Sequence, residues 1–143
     1  MIYPILTPEE AADYIQNGMN IGVSGFTIPG NVKVIPPAIA KKAIREHEAG
    51  REFKVNIYSG ASTNDYTDGE LSRAHALNYR TPYQSLPEVR NRINAGEVHY
   101  NDRHLSELAQ EFRYGYYGKM DVALIEVQSI TDDGEIVLGT AVG

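Results

Sequence analysis

Helix-type and strand-type patterns alternate along the chain from Thr7 to Tyr58, and this alternation limits the possible folds more than any other feature. Thr7-Pro8-Glu9-Glu10 reads as a helix start: Thr7 caps, Pro8 suits the first helical position, and Glu10 returns a capping-box bond. The helix is predicted to run to about Gln16, where Asn17-Gly18 stops it. Met19–Val23 follows as a buried strand. Pro36-Pro37 opens a second helix with Ile35, Ile39, Ala43 and Ile44 on one face and Gly50 at its end, and Phe53–Tyr58 is the second strand. Helix then strand, twice over with short connections, is the pattern of parallel strands covered by helices.

The remaining elements extend this reading. A short helix is predicted over Glu70–His75, a brief strand over Leu77–Arg80 broken by Thr81-Pro82, and a strand over Val98–Tyr100. Ser85-Leu86-Pro87-Glu88 repeats the capping-box logic and starts a helix through Asn94 that ends at Gly96, and Leu105–Tyr114 is a further helix. Asp121–Gln128 is the clearest strand, and its Val122-Ala123-Leu124-Ile125 core is apolar on both faces, as expected of a central strand. Asp133-Gly134 then turns the chain into a hairpin partner over Glu135–Val142. The expected fold is α/β: an open, mostly parallel sheet flanked by helices, with a C-terminal β-hairpin. A strand pattern still running at Ala141-Val142-Gly143 gives the expectation that the sequence stops inside a fold.

Composition narrows the function classes. With 143 residues, 42% of them hydrophobic, the chain fits one domain or a piece of a larger one. Nineteen acidic residues against thirteen basic ones give a net charge of -6. That balance argues against broad electrostatic binding of nucleic acid or of an anionic membrane, so an anionic ligand must meet a local basic patch. There is no cysteine, which excludes disulfides, thiolate catalysis and cysteine-ligated zinc. No apolar run is long enough to span a bilayer and Met1-Ile-Tyr-Pro lacks the form of a signal peptide, so a cytoplasmic location is expected.

Candidate functional residues gather where strands end. Ile21–Lys33 runs from an apolar strand into a glycine-rich turn, and ligands in open α/β sheets bind at such carboxyl ends. Its glycines, Gly22, Gly25 and Gly30, fit neither G-x-G-x-x-G nor a phosphate loop, so the stretch is either a binding loop or a plain connection. Ser59-Gly60-Ala61-Ser62-Thr63-Asn64-Asp65 is a second such place. The Ser62 hydroxyl either points into a crevice and bonds a carboxylate or closes its own turn. Ser85 is accounted for by helix capping, and Lys33 is either an anion contact or a solvated lysine. Glu126, at the end of an apolar strand, is expected to be buried, and so either paired or functional. His99, Asp102 and His104 match no metal-ligand spacing. Tyr114, Tyr116 and Tyr117 read as packing and interface residues. Nothing matches G-x-S-x-G, which argues against a serine hydrolase.

Taken in order, several segments resemble the amino-terminal part of the acetyl-CoA hydrolase/transferase family, the class I CoA-transferases. They are Gly22-Val-Ser-Gly-Phe-Thr with Gly30-Asn-Val-Lys, then Gly60-Ala-Ser-Thr, Asp68-Gly-Glu-Leu and Arg80-Thr-Pro-Tyr. Arg90-Asn-Arg-Ile-Asn-Ala-Gly-Glu, His104-Leu-Ser, Tyr114-Gly-Tyr-Tyr-Gly, Asp121-Val-Ala-Leu-Ile-Glu and Ile130-Thr-Asp-Asp-Gly complete the series. The resemblance implies a CoA-transferase-like α/β fold, here incomplete, and an enzyme that moves CoA between carboxylic acids through a glutamyl-CoA thioester. Coenzyme A is then a substrate and product, with no tightly bound cofactor. Acyl-CoA and a small carboxylate such as acetate or succinate are the implied partners, together with a second copy of the chain.

The same resemblance implies site residues. Ser62 occupies the family's hydroxyl position in the pocket for the small carboxylate, flanked by Gly60 and Ala61. Ser85 falls where relatives place another hydroxyl. Gly25, Phe26 and Thr27 match the loop lining the crevice, with Lys33 close by. Val32 stands where the family usually has proline. The nucleophilic glutamate belongs to a carboxyl-terminal domain outside these residues, and Glu126 does not match it. The 143 residues alone are therefore expected to be inactive. A transferase half, an acetyl-CoA hydrolase half and a stand-alone binding module of the same fold are the readings that remain.

Overall fold

The computed structural model describes residues 3–61 and 64–139. Helix α1 (Pro8–Asp13) begins as predicted: the Thr7 hydroxyl accepts from the Glu10 backbone N–H, and the Glu10 carboxylate accepts from the Thr7 N–H at 2.7 Å. The Thr7 backbone N–H and hydroxyl hold the Glu10 carboxyl below the usual carboxylate range. Strand β1 (Asn20–Val23), helix α2 (Ile35–Glu48) and strand β2 (Val55–Tyr58) follow. A π-helical turn, Asp65–Gly69, runs into helix α3 (Glu70–Arg73). Strand β3 (Leu77–Thr81), helix α4 (Pro87–Asn94), strand β4 (His99–Tyr100), helix α5 (Leu105–Arg113) and strand β5 (Val122–Leu124) complete the main layers.

Strands β1 to β5 form one parallel sheet in the order β4-β3-β2-β1-β5. The chain therefore builds outward from β1 in one direction and returns to pair with its other side, so β1 lies at the point where the winding reverses. Side chains alternate between the two faces. Ile21, Val55, Ile57 and Leu77 join Ile39 and Ala43 of α2 in an aliphatic layer, with Leu71 and Ala74 of α3 beside them. Full burial of an aliphatic side chain of this size contributes roughly 1.5–3 kcal/mol, so this layer is the main source of stability. Ile44 departs from its expected place: it is 46% exposed, one step round the helix from the buried stripe of Ile39 and Ala43.

The opposite face of the sheet is polar and aromatic. Asn78 donates to Asn56 at 2.7 Å, Asn56 to Asn20 at 2.9 Å, and Asn20 to the Lys119 carbonyl at 2.8 Å, a continuous row across three strands. Above it Tyr58 packs edge-on against Phe112 of α5, with ring centroids 5.2 Å apart, and lies 5.4 Å from both Tyr79 and Tyr117. Tyr117 also donates to the buried Glu111 carboxylate at 2.6 Å. Tyr114 and Tyr116 instead pair with each other on the surface.

Two sequence expectations are corrected near the end of the chain. The single strand over Asp121–Gln128 is broken: β5 stops at Leu124, and Val127–Ile130 forms a separate strand, β6, paired antiparallel with β7 (Ile136–Leu138) around the turn at Gly134. Within the described residues β5 is an edge strand, with Ala123 exposed and Ile125 47% exposed. An apolar run marks a strand able to be covered on both faces, but does not supply the neighbour that covers it. The hairpin is present as predicted, while residues 140–143 lie outside the described set.

Burial among aromatic rings pushes the Tyr58 hydroxyl up from 10.0 to about 12. The unfolded chain releases this proton near pH 10 and the folded chain near pH 12, so stability is full below pH 10 and falls as pH rises through that window. The expected loss is on the order of 2 kcal/mol. Denaturant unfolding between pH 9 and about 12 measures it, and Tyr58→Phe is expected to remove this component of the pH slope.

Candidate active site

All parallel strands open their carboxyl ends on one edge of the sheet, and the loops leaving there carry the candidate residues. The loop after β1 is tied down by Ser24, whose N–H donates to the Leu124 carbonyl at 2.9 Å. Its hydroxyl donates to the Gly30 carbonyl and accepts from the Glu126 N–H, each at 2.9 Å. Gly25 adopts φ +112°, and a Cβ there would lie 2.8 Å from the Asn31 Cα, so the tight turn accepts only glycine. The buried Asn31 amide donates to the Thr27 carbonyl across the same turn.

Thr27, at φ +58°, donates its N–H to the Ala61 carbonyl at 3.0 Å. This bond brings the Gly25-Phe26-Thr27 loop against Gly60-Ala61 at the end of β2, joining two groups of residues that the sequence placed on separate loops. Beneath them lies an apolar cavity of ≈ 340 Å³. Gly22 and Phe26 wall it on one side, Tyr58 and Gly60 on another, and Leu108 and Phe112 of α5 form its floor.

The β2 loop is supported from below by a buried ion pair. Arg80 and Asp68 are each 1% exposed, with Arg80 Nε 2.7 Å from Asp68 Oδ1 and Arg80 Nη2 3.3 Å from Oδ2. Nη2 also donates to the Ser59 hydroxyl at 2.7 Å, which in turn donates to the Gly60 carbonyl at 2.8 Å. Asp68 is aimed inward by the π-helical turn, capped by Asn64, whose side chain accepts from the Thr67 N–H at 2.9 Å. Thr67 reaches the first loop as well, donating to the Val32 carbonyl at 3.2 Å. Gly69 leaves room for the Asp65 carboxylate that pairs with Arg73, and a Cβ there would push that side chain aside.

The model of the acetyl-CoA hydrolase/transferase N-terminal domain matches residues 3–143. The chain belongs to this family. It is 42% identical over 139 residues to the succinyl-CoA:acetate CoA-transferase of Clostridium kluyveri, covering 97% of this chain and 25% of that protein. It is 41% identical over 138 residues to the propanoyl-CoA:succinate CoA transferase of Escherichia coli, covering 96% and 28% respectively. An acetyl-CoA hydrolase of Schizosaccharomyces pombe is 33% identical over 145 residues, with coverages of 97% and 28%. The chain thus spans about a quarter of the length of these curated relatives.

The fold is shared with two solved structures. RipA from Yersinia pestis superposes with a TM-score of 0.66 at 18% identity, covering 92% of this chain and 30% of that one. An acyl-CoA transferase of Escherichia coli O157:H7, in a thioester complex with CoA, gives 0.61 at 16% identity, covering 80% and 23%.

The other residues singled out in the sequence fall as follows. Ser62 lies outside the described residues. Ser85 does not cap α4: the cap position is Leu86, and the Leu86 N–H is taken by the Gln84 side-chain carbonyl at 2.7 Å. Glu126 is not a buried carboxylate. Its side chain is 41% exposed and pairs with Lys33, itself 39% exposed, at 2.7 Å. Because β5 is an edge, its end reaches solvent, and Lys33 from the neighbouring loop supplies the partner. Among the described residues no three histidine or carboxylate side chains converge as a metal site.

Sequence reasoning missed Ser24, Asp68 and Arg80 as supports of the site. Arg80 carried a usable signal, since an arginine inside a strand pattern of Leu77-Asn-Tyr-Arg has to find a partner when buried. Asp68→Asn leaves the Arg80 charge uncompensated and is expected to destabilise the chain by about 3–5 kcal/mol in urea unfolding. Asp65→Asn, which removes an exposed partner of Arg73, is expected to cost about 1 kcal/mol or less.

Proposed function

We propose that this chain is the carboxylate- and acyl-binding part of an enzyme that transfers CoA between an acyl-CoA and a small carboxylic acid such as acetate or succinate. One observation carries the reading: the glycine loops after β1 and β2 meet over an apolar cavity at the carboxyl ends of the parallel strands. A short acyl group fits the chemistry of such a lining, and loop backbone close by leaves room for the reacting carbonyl. Ser62 and Ser85 supply hydroxyls to the substrate carboxylate, and Lys33 lends positive charge at the rim while holding Glu126.

In this reading a glutamate outside these residues attacks the thioester carbonyl and expels the CoA thiolate, leaving an acyl-glutamyl anhydride. The thiolate then attacks the glutamyl carbonyl of the anhydride, releasing the acyl group as its carboxylate and forming a glutamyl-CoA thioester. The acceptor carboxylate attacks that thioester, and the same steps run in reverse to give the new acyl-CoA. Covalent catalysis of this kind divides one difficult exchange into easier ones, and backbone N–H groups at the loops stabilise the oxyanion that develops. Water in place of the acceptor resolves the same intermediate as hydrolysis. Both activities appear among the relatives' names.

In the same reading the exposed apolar edge is a surface that further strands of the fold would pair with. Ile125, Ile130, Ile136 and Leu138 are exposed along β5 and the hairpin, and further strands of the same fold would cover them.

An acetyl-CoA and succinate exchange assay tests the proposal on the 143-residue chain and on the full polypeptide its gene encodes. The 143 residues alone are expected to be inactive and the full polypeptide active. Ser62→Ala in the latter is expected to raise KM for the carboxylate about tenfold, the equivalent of one lost hydrogen bond to a charged group. Turnover by the 143 residues alone would place the nucleophile within them, with Glu126 the first to test. Inactivity of both forms would favour a binding module.

A further inference from the structure

The amino ends of the strands, opposite the loops described above, hold a second cavity of ≈ 310 Å³. Its lining is mainly polar: Lys54 before β2, Ser72 and His75 from α3 and its end, Arg92 of α4, and Glu97 and His99 beside β4. In a chain with a net charge of -6, this places two fixed cations and two imidazoles around one carboxylate.

Two of these residues have buried polar atoms left without a partner among the described residues, the Ser72 hydroxyl and Arg92 Nε. Ser72 is 0% exposed. A serine within a helix ordinarily gives its hydroxyl to a carbonyl of the preceding turn or to solvent, and this one does neither. Arg92 uses Nη1 on Glu97 at 2.7 Å and turns Nη1 and Nη2 toward the His75 ring at 2.8 and 3.2 Å, so Nε is the one guanidinium nitrogen with no partner among the described residues. His75, at φ +54°, is the left-handed residue that closes α3: its N–H donates to the Ser72 carbonyl at 3.0 Å and the Ala76 N–H to the Leu71 carbonyl at 2.8 Å, which sets the His75 ring at the cavity wall. Two unmet buried donors beside one polar cavity that also holds Lys54 fit a missing ligand made of acceptors.

We propose that this cavity binds a phosphate group, either as the free ion or as the end of a small phosphorylated metabolite. Its oxygens accept from Arg92 Nε and from the Ser72 hydroxyl, and Lys54 at the mouth adds charge. The site is separate from the loops over the apolar cavity, so it stands or falls independently of the chemistry proposed there. Because α3 continues directly from the turn that carries Asp68, occupancy ties α4 to the element that supports the β2 loop.

Calorimetric titration and thermal melting of the purified protein test this, with inorganic phosphate, glycerol phosphate and, at matched ionic strength, chloride. At ten times its Kd, phosphate is expected to raise the melting temperature by about 3 °C over chloride. Arg92→Gln is expected to weaken the affinity about tenfold and Ser72→Ala about threefold, while Lys41→Gln, on an exposed lysine outside the cavity lining, leaves it unchanged. If Arg92→Gln fails to fold, Lys54→Gln makes the same comparison at the cavity mouth. Binding of inorganic phosphate alone supports the free ion, and tighter binding of glycerol phosphate supports the metabolite. No shift beyond chloride with either compound, or equal affinities in all variants, overturns the proposal.

Discussion

The buried pair of Arg80 and Asp68 is the interaction on which the upper half of the molecule depends. Taking both charges out of water is expensive, and it is tolerated because the guanidinium is occupied on all sides. Two nitrogens meet Asp68, one also meets Ser59, and Nη1 donates to the Thr81 carbonyl. The pair thereby joins three separate segments: the π-helical turn, the end of β3, and the loop after β2. An aliphatic replacement could fill the same volume, but it could not orient Ser59 or hold the Gly60 carbonyl.

Above that support the topology does the rest. A parallel sheet that reverses its winding at β1 places the loops after β1, β2 and β5 side by side, and each is closed by a different bond. Ser24 links the first loop to the end of β5, Thr27 links it to the second, and Lys33 reaches Glu126 at its outer side. The apolar cavity is what these bonds leave over, floored by α5 because the return crossing to β5 carries that helix to the other face.

Local rules made much of this legible in the sequence. The capping box at Thr7, the strands around Ile21 and Ile57, and the hairpin at Gly134 depend on neighbours in the chain, and the segments shared with the CoA-transferases carried the family. What was lost depended on contacts between distant residues. Glu126 was expected to be buried because its own strand is apolar, whereas its exposure is set by the edge position of β5 and by Lys33, 93 residues earlier. Ser85 matched a capping pattern, yet the helix starts one residue later, with Leu86 at the cap position and its N–H bonded to the Gln84 side chain. The π-helical turn has no local signature, since Asp68 faces inward only once Arg80 is there to receive it.

The asparagine row beneath the aromatic cluster has a consequence for how the sheet assembles. A slip of one residue in β2 would carry Asn56 into the aliphatic layer and Val55 or Ile57 into the polar one. Apolar packing already opposes such a slip, because Val55 and Ile57 leave the buried layer, and an amide stranded in their place has no partner. The row can close only when β1, β2, β3 and the turn at Lys119 have all arrived in their final alignment. It therefore acts as a checksum on strand alignment, rewarding the complete arrangement and giving little to any partial one.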